Sequence, residues 1–367
     1  MRPLAGIRVV EAASYVLGPF AALQLADLGA EVVKVETPDG GDPLRRFGIR
    51  YQGTAYLFAN TSRNKRSEFL DLKSDAGAAR LRTLLATADV FISNWRPAVA
   101  ERLGFSADRL RAEFPRLVWV RVSGFGQHGP LANRPAFDSI LQGRSGYAAR
   151  AAGPPALANG YLADKITGTL AAQAALAALV KRGAEGAGSV VDVSMLDAMG
   201  YFNSPDLFAG HTVVDRFEPM VLRHLCAARP VPTSDGWMVV NPVSGRQLSA
   251  ALTAVGRPEW IPELRAIADP VVMVETFFAR LETVTPTRTT AEWEAVFAAV
   301  DVPSSAVLDL AGHLADPQVA HNALYREVDD PLFGRTRRAR HAALFDGRPV
   351  DHDDLPVPPL PRAATDP

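Results

Sequence analysis

The chain has 367 residues, 48% of them hydrophobic, and its 39 Lys+Arg against 40 Asp+Glu leave a formal net charge of -1. That length supports a large core and most simply two domains, while the near cancellation of charge argues against a nucleic-acid groove or an electrostatic hold on an anionic membrane. Cys226 is the only cysteine, which excludes an internal disulfide and a thiolate metal cluster and reads as a buried thiol in a reducing compartment.

The amino-terminal run Met1 to Glu11 lacks the long apolar stretch of a signal peptide, and no segment reaches the roughly eighteen apolar residues of a membrane span, so a soluble, cytoplasmic protein is expected. Ile7 to Val10 predicts a strand, Pro19 to Leu28 a helix closed by Gly29, and Glu31 to Glu36 a second strand. Helix Ala76 to Ala86 with strand Val90 to Ile92, helix Ala107 to Phe114 with strand Leu117 to Val122, and a strand from Ser189 to Val193 continue the alternation. Residues 1–200 therefore predict an α/β fold with a doubly wound, mainly parallel sheet. Residues 201–224 lack periodicity and read as a linker. A smaller α+β domain is expected over 225–305, with a strand at Trp237 to Val240 and helices near 246–255 and 291–299. Residues 306–367 complete the assignment as a return segment, ending in a proline-rich tail from Leu355 that is expected to be extended or disordered.

One helix carries the most informative residue. Ile166, Leu170, Ala174, Ala177 and Val180 recur at helical spacing, Lys181 and Arg182 place cations in the last turn, and Gly183 reads as the terminator. Asp164 stands at the start of this helix, where an aspartate ordinarily caps orphan N–H groups. The same positive dipole end is expected to keep the carboxylate ionised, and an ionised carboxylate in a closed pocket is also a nucleophile for a thioester carbonyl. Cap and nucleophile are compatible roles.

Several chemistries lack their motifs. Glu36 at the end of the second strand mimics the ribose-binding acid of a dinucleotide fold, but Gly18 stands alone before Pro19 where three glycines are needed. There is no phosphate-binding P-loop, no nucleophile-elbow serine, and no paired helical spacing among the seven histidines to suggest a metal site. What remains is polar punctuation between strands and helices. Asn94-Trp-Arg-Pro97 follows a strand at the sheet's carboxyl edge, where Trp95 offers a flat face and Arg96 or Arg102 a fork for phosphate. Ser123 to Pro130 is a glycine-rich loop, and Asn64-Lys-Arg-Ser67 adds two cations.

In this order and spacing, these motifs resemble the family III CoA-transferases, the CaiB/BaiF group that includes formyl-CoA transferase and, as a sister branch, α-methylacyl-CoA racemase. The resemblance is dense from Pro3 to Asp197 through Leu17-Gly-Pro19, Leu28 to Glu36, Asn94 to Pro97, Glu101 to Phe105 and Arg134-Pro-Ala-Phe-Asp138, and looser at Thr233 to Trp237 and near Phe345. It implies a Rossmann-like CoA-binding domain, an interlocked homodimer, and an acyl-CoA and a carboxylic acid as substrates, with no tightly bound cofactor and no metal. It implies Asp164 as the catalytic nucleophile, passing through a mixed anhydride and an aspartyl-CoA thioester. It further implies Asn94, Trp95 and Arg102 as CoA contacts, with Lys65 or Arg66 near the CoA phosphates. Departures leave two alternatives, an α-methylacyl-CoA racemase-like isomerase and a catalytically altered acyl-CoA binder. Phe137 stands where the racemase branch has a histidine, with His128 as the nearest substitute, and Val16 replaces the glutamine of well-known transferases. The glycine-run loop that covers the intermediate in those transferases has no counterpart between 211 and 236.

Overall fold

The computed structural model describes residues 1–149, 154–216, 228–351 and 354–360. Cys226, His224, His352, part of the 201–224 linker and the tail beyond Leu360 lie outside the described residues. The chain divides into two compact units, one built from Met1–Ala149, Pro155–Phe202 and the stretch from Asn322 onward, the other chiefly from Asn203–His321.

The first unit is organised by a six-stranded sheet of β1 (Arg8–Ala12), β2 (Glu31–Glu36), β3 (Arg66–Phe69), β4 (Val90–Ser93), β5 (Val118–Ser123) and β6 (Ser189–Ser194). All neighbours pair in parallel, in the order β3-β2-β1-β4-β5-β6. From β1 the chain winds outward to β3 and then returns to β4 on the other side, so a crevice opens at the carboxyl ends of β1 and β4. The central strands β4 and β5 are apolar on both faces because helices cover both. Val9, Val32, Val90, Ile92 and Val120 pack with α1 (Leu17–Asp27) and a long helix described below, whereas Val10, Phe91 and Trp119 pack with α3 (Asp75–Leu85) and α5 (Ala107–Glu113). Between these lie α2 (Tyr56–Ser62) and α4 (Pro97–Arg102), and α6 spans Asp138–Arg144.

Strand β3 was not predicted. Its sequence Arg66-Ser-Glu-Phe69 is short and polar because it forms the sheet edge, where alternation is weak and the cations are solvated.

The long helix α7 (Leu162–Glu185) corrects two expectations. It runs through Gly183 and ends at Gly186, whose φ of 79° supplies the left-handed residue that closes the helix. Its buried stripe consists of Ala163, Asp164, Thr167, Gly168, Ala171, Ala172, Ala175 and Ala178, whereas Val180, assigned to the apolar face, is exposed. Small residues carry the contact because α1 lies close: a Cβ on Gly168 would sit 3.0 Å from the Leu17 carbonyl oxygen and 3.0 Å from the Phe20 ring. Hydrophobic periodicity favours large side chains and so selects the wrong face. After β6, the helix α8 covers Met195–Asn203.

The second unit holds an antiparallel sheet of β7 (Val231–Pro232), β8 (Trp237–Val240) and β9 (Ser304–Ala306), with α9 (Gly245–Ala254), α10 (Trp260–Arg265), α11 (Pro270–Val284) and α12 (Thr290–Ala298) around a separate core. Helix α11 had no predicted counterpart, although Asp269 capping the N–H groups of Val271 and Val272 before Pro270 is a legible start signal.

The chain returns to the first unit with the hairpin of β10 (Tyr325–Asp330) and β11 (Gly334–Ala339). The proline-rich stretch that follows is extended but pinned up to Leu360. Its Pro358 carbonyl accepts from Arg45 at 2.9 Å, and Val357 is buried among Val16, Leu44 and Phe58. Among the described residues, no helix is long and apolar enough to cross a membrane.

Candidate active site

Two cavities open at the carboxyl edge of the large unit's sheet, and Ser14 lines both. The smaller, about 310 Å³, takes its walls from the ends of four strands: Ser14 after β1, Asn94 after β4, Ser123 on β5 and Met195 after β6. Asn94 ties the first two together, because its Oδ1 accepts from the Ser14 N–H at 3.1 Å and its Nδ2 donates to the Ser14 carbonyl at 2.8 Å. Asp164 lies in this cavity.

The helix-cap reading of Asp164 is corrected. Tyr161 occupies the cap position without a side-chain bond, and Asp164 is the third residue of α7, 9% exposed. Its own N–H is capped by the Asp138 carboxylate, with Oδ1 accepting at 3.1 Å. Asp138 is held in turn by Gln142, whose Nε2 donates to Oδ2 at 2.6 Å and whose Oε1 accepts from the Ala158 N–H at 2.8 Å. Among the described residues, the Asp164 carboxylate receives no side-chain or backbone hydrogen bond. Burial first, and the neighbouring Asp138 charge second, push its pKa up to about 7. The expected fully ionised carboxylate therefore gives way to one poised near neutrality, as desolvation outweighs the field of the helix end.

In the same cavity, the rings of Tyr15 and Phe137 meet edge to face with centroids 5.3 Å apart. Tyr15 is a non-glycine residue in the left-handed region, at φ 65°. Arg96 and Arg134 also line this cavity, and neither forms an ion pair among the described residues. His128 does not line it, so no imidazole takes the place vacated at Phe137.

The larger cavity, about 800 Å³, lies beside Trp95, Arg102, Lys73 and Arg109. Trp95 is braced by Phe91 and Phe105 at centroid distances of 5.7 and 5.6 Å. Lys73 and Arg102 form no ion pair among the described residues, although Asp71 and Asp75 line the cavity beside Lys73. Glu36 also borders this cavity, yet it is bound by Arg45 Nε and Nη2 at 2.6 Å each. Burial opposes its ionisation, but Arg45, together with Lys34 and Ser67, outweighs burial and holds Glu36 below the usual carboxylate range. It is committed to structure and not to a ribose.

Of the residues assigned in the sequence, Asp164, Asn94, Trp95 and Arg102 converge on these adjoining cavities. Lys65 and Arg66 do not. Lys65 is buried, donating to Glu11 and to the Pro19 carbonyl at 2.7 Å each. Arg66 begins β3 at the opposite, amino edge of the sheet, 4.0 Å from Glu31. Chain neighbours with cationic side chains need not share a ligand. Sequence reasoning also left Asp138, Tyr15, Arg134 and Lys73 without roles. Asp138 and Arg134 stood in a motif already recognised, whereas the backbone conformation of Tyr15 has no sequence signal.

A family model described as CoA-transferase family III matches residues 4–362. The succinyl-CoA–D-citramalate CoA-transferase of Chloroflexus aurantiacus is 34% identical over 267 residues, covering 70% of this chain and 66% of that protein. The chain thus spans just under two thirds of that relative's length. The acetyl-CoA:oxalate CoA-transferase of Acetobacter aceti is 31% identical over 326 residues, covering 87% of this chain and 84% of that protein. Among solved structures, a CaiB/BaiF family protein from Brucella suis superposes with a TM-score of 0.81 at 26% identity, covering 96% of this chain and 95% of the other.

Proposed function

We propose that this chain, which belongs to CoA-transferase family III, moves CoA from an acyl-CoA donor to a carboxylic acid by covalent catalysis at Asp164. One observation carries the reading: a buried carboxylate without hydrogen-bond donors stands in a small, partly apolar cavity beside a larger one lined by a tryptophan and unpaired cations. The larger cavity takes the nucleotide end of CoA, with Trp95 against the ligand and Arg102, Lys73 and Arg109 toward phosphate. The pantetheine arm passes Ser14, which lines both cavities, and delivers the thioester to Asp164.

In the first step an Asp164 carboxylate oxygen bonds to the thioester carbonyl carbon and the C–S bond breaks, giving a mixed anhydride and CoA thiolate. The thiolate then attacks the Asp164 acyl carbon of the anhydride, releasing the donor's carboxylate and leaving an aspartyl-CoA thioester. The acceptor carboxylate reverses the two steps, and Asp164 is regenerated. Each step exchanges one activated acyl bond for another, so orientation and exclusion of water supply most of the catalysis. A carboxylate relieved of donors is poorly solvated and correspondingly nucleophilic, at the cost of a raised pKa.

The nucleophile acts ionised, so kcat/KM is expected to fall about tenfold per pH unit below about 7. Asp138→Asn keeps an oxygen for the Asp164 N–H but removes the neighbouring charge, so the acid limb of the pH profile shifts to lower pH. An unmoved limb would show that Asp164 does not govern it.

The acid substrates are dicarboxylates in this reading. The two relatives described above are named for citramalate and oxalate, both dicarboxylic acids, and Arg96 and Arg134 supply unpaired guanidinium groups in the Asp164 cavity. Arg134→Gln is therefore expected to raise KM for a dicarboxylate acceptor by roughly ten- to a hundredfold while changing KM for a monocarboxylate by less than about threefold. Steady-state kinetics with succinate and butyrate as acceptors separates the outcomes.

The working form is taken to be an interlocked homodimer, a reading supported by large apolar side chains such as Val180 and Tyr201, 76% and 72% exposed on the large unit.

A further inference from the structure

Behind the loop that joins β1 to α1 lies a buried cluster of charge that the proposed chemistry does not use. Glu11, Lys34, Asp42 and Lys65 are each no more than 2% exposed. Lys34 Nζ lies 2.6 Å from Glu11 Oε1 and 2.9 Å from Asp42 Oδ2, and Lys65 Nζ lies 2.7 Å from Glu11 Oε2. Two ammonium groups and two carboxylates balance, so the cluster is neutral as a whole.

We propose that this cluster is a positioning device that clamps the Ala13–Val16 loop and the first turn of α1 and thereby fixes Tyr15 as the acyl-facing wall of the Asp164 cavity. Three arms of the cluster reach backbone of that loop or of the first turn of α1, although Asp42 Oδ1 also caps the turn that follows it, accepting from the Leu44 N–H at 2.9 Å. Lys34 Nζ donates to the Ala13 carbonyl at 2.8 Å, Asp42 Oδ1 accepts from the Tyr15 N–H at 3.1 Å, and Lys65 Nζ donates to the Pro19 carbonyl at 2.7 Å. The clamped segment contains Tyr15 at φ 65°, a conformation that a β-substituted residue holds only when its surroundings over-determine it. The same segment supplies Ser14, Tyr15 and Leu17 to the Asp164 cavity. A cluster serving stability alone would be served as well by apolar side chains of the same volume, whereas ionic arms give fixed directions to three backbone groups.

The selectivity consequence rests on the Asp164 cavity being the acyl site; the clamp itself does not. The test uses Asp42→Asn, nearly isosteric, together with Lys34→Met and Tyr15→Ala. Hydrogen exchange of the peptide spanning residues 13–19 is expected to quicken about tenfold or more in Asp42→Asn and Lys34→Met, with the β5 peptide unchanged. The ratio of kcat/KM for succinyl-CoA to that for a bulkier acyl-CoA, which does not depend on the active fraction, is expected to shift about fivefold or more in the direction shown by Tyr15→Ala, and the double variant Asp42→Asn/Tyr15→Ala to shift no further. Unchanged exchange in 13–19 overturns the clamp. Changed exchange with a ratio within about twofold of wild type, all substrates falling alike, overturns its role in selectivity. If Lys34→Met does not fold, Asp42→Asn decides. If the wild-type protein transfers to no acid, the proposed activity fails, and exchange alone decides the clamp.

Discussion

Asp164→Asn is expected to reduce CoA transfer by at least about a thousandfold while yielding a protein that is more heat-stable than its parent above neutral pH. The loss of rate follows from chemistry. An amide oxygen does not displace a thiolate, and no second carboxylate lines the small cavity to replace Asp164. The gain in stability follows from linkage. The aspartate's ordinary value is 3.8 and its folded value about 7, so across that window the folded protein holds a proton that the unfolded chain has shed. Stability contributed by the protonated form is complete below the lower value and is lost as pH rises through the upper one, to the extent of up to roughly 4 kcal/mol. Asparagine titrates nowhere in this range and escapes that loss. Fold is preserved because the helix end is capped by Asp138 and not by the residue being changed. Thermal unfolding at pH 5 and pH 8, beside a transfer assay, reads both effects. A melting-temperature difference of the same size at both pH values would contradict the raised pKa.

Glu11→Gln is expected to be the most damaging single substitution for stability, costing about 3–5 kcal/mol. Its carboxylate lies 2.6 Å from Lys34 and 2.7 Å from Lys65 with all three side chains fully buried. Removing the charge leaves two ammonium groups in one dry pocket with Asp42 as the remaining partner. Burial already pushes Lys65 down to about 8 despite the attraction of Glu11. Without that attraction Lys65 sheds its proton near neutrality, and the fall in stability is correspondingly largest at low pH, where both lysines are forced to charge. Glu31→Gln is the comparison. It breaks contacts of 3.9 Å to Arg8 and 4.0 Å to Arg66 on the solvent side of the sheet edge, and its effect stays within about 0.5 kcal/mol. Denaturant unfolding of the two variants under one set of conditions distinguishes a buried ion cluster from ordinary surface charge.

Why some of this was legible in the chain and some was not comes down to which forces act locally. Strands such as Val90 to Ile92 and Leu117 to Val122 were legible because a parallel sheet covered on both faces demands continuous apolar runs. Edge strand β3 was hidden because its four residues answer to solvent as much as to neighbours. The α7 stripe was misassigned because alanine and glycine score weakly as hydrophobic, yet close approach of α1 requires them. Asn94, Trp95 and Arg102 come to line the two cavities because the segment after β4 leaves the sheet at its carboxyl edge, which the strand pattern makes legible. Lys65 and Arg66 misled because adjacent residues entering a strand diverge, one into the interior and the other into solvent. The inversion of Asp164 from an ionised cap to a buried carboxylate poised near neutrality depends on how much water the fold removes and on how near it brings Asp138. Neither quantity is written in the order of residues.

The most direct measurement is peptide mass analysis after acid quench, with the protein mixed with succinyl-CoA alone and then with succinyl-CoA and an acceptor acid. Covalent catalysis predicts that the peptide containing Asp164 gains the mass of CoA less water, that the adduct vanishes when acceptor is added, and that Asp164→Asn never acquires it. Transfer of CoA at full rate with no mass gained at Asp164, or transfer retained in Asp164→Asn, would contradict it.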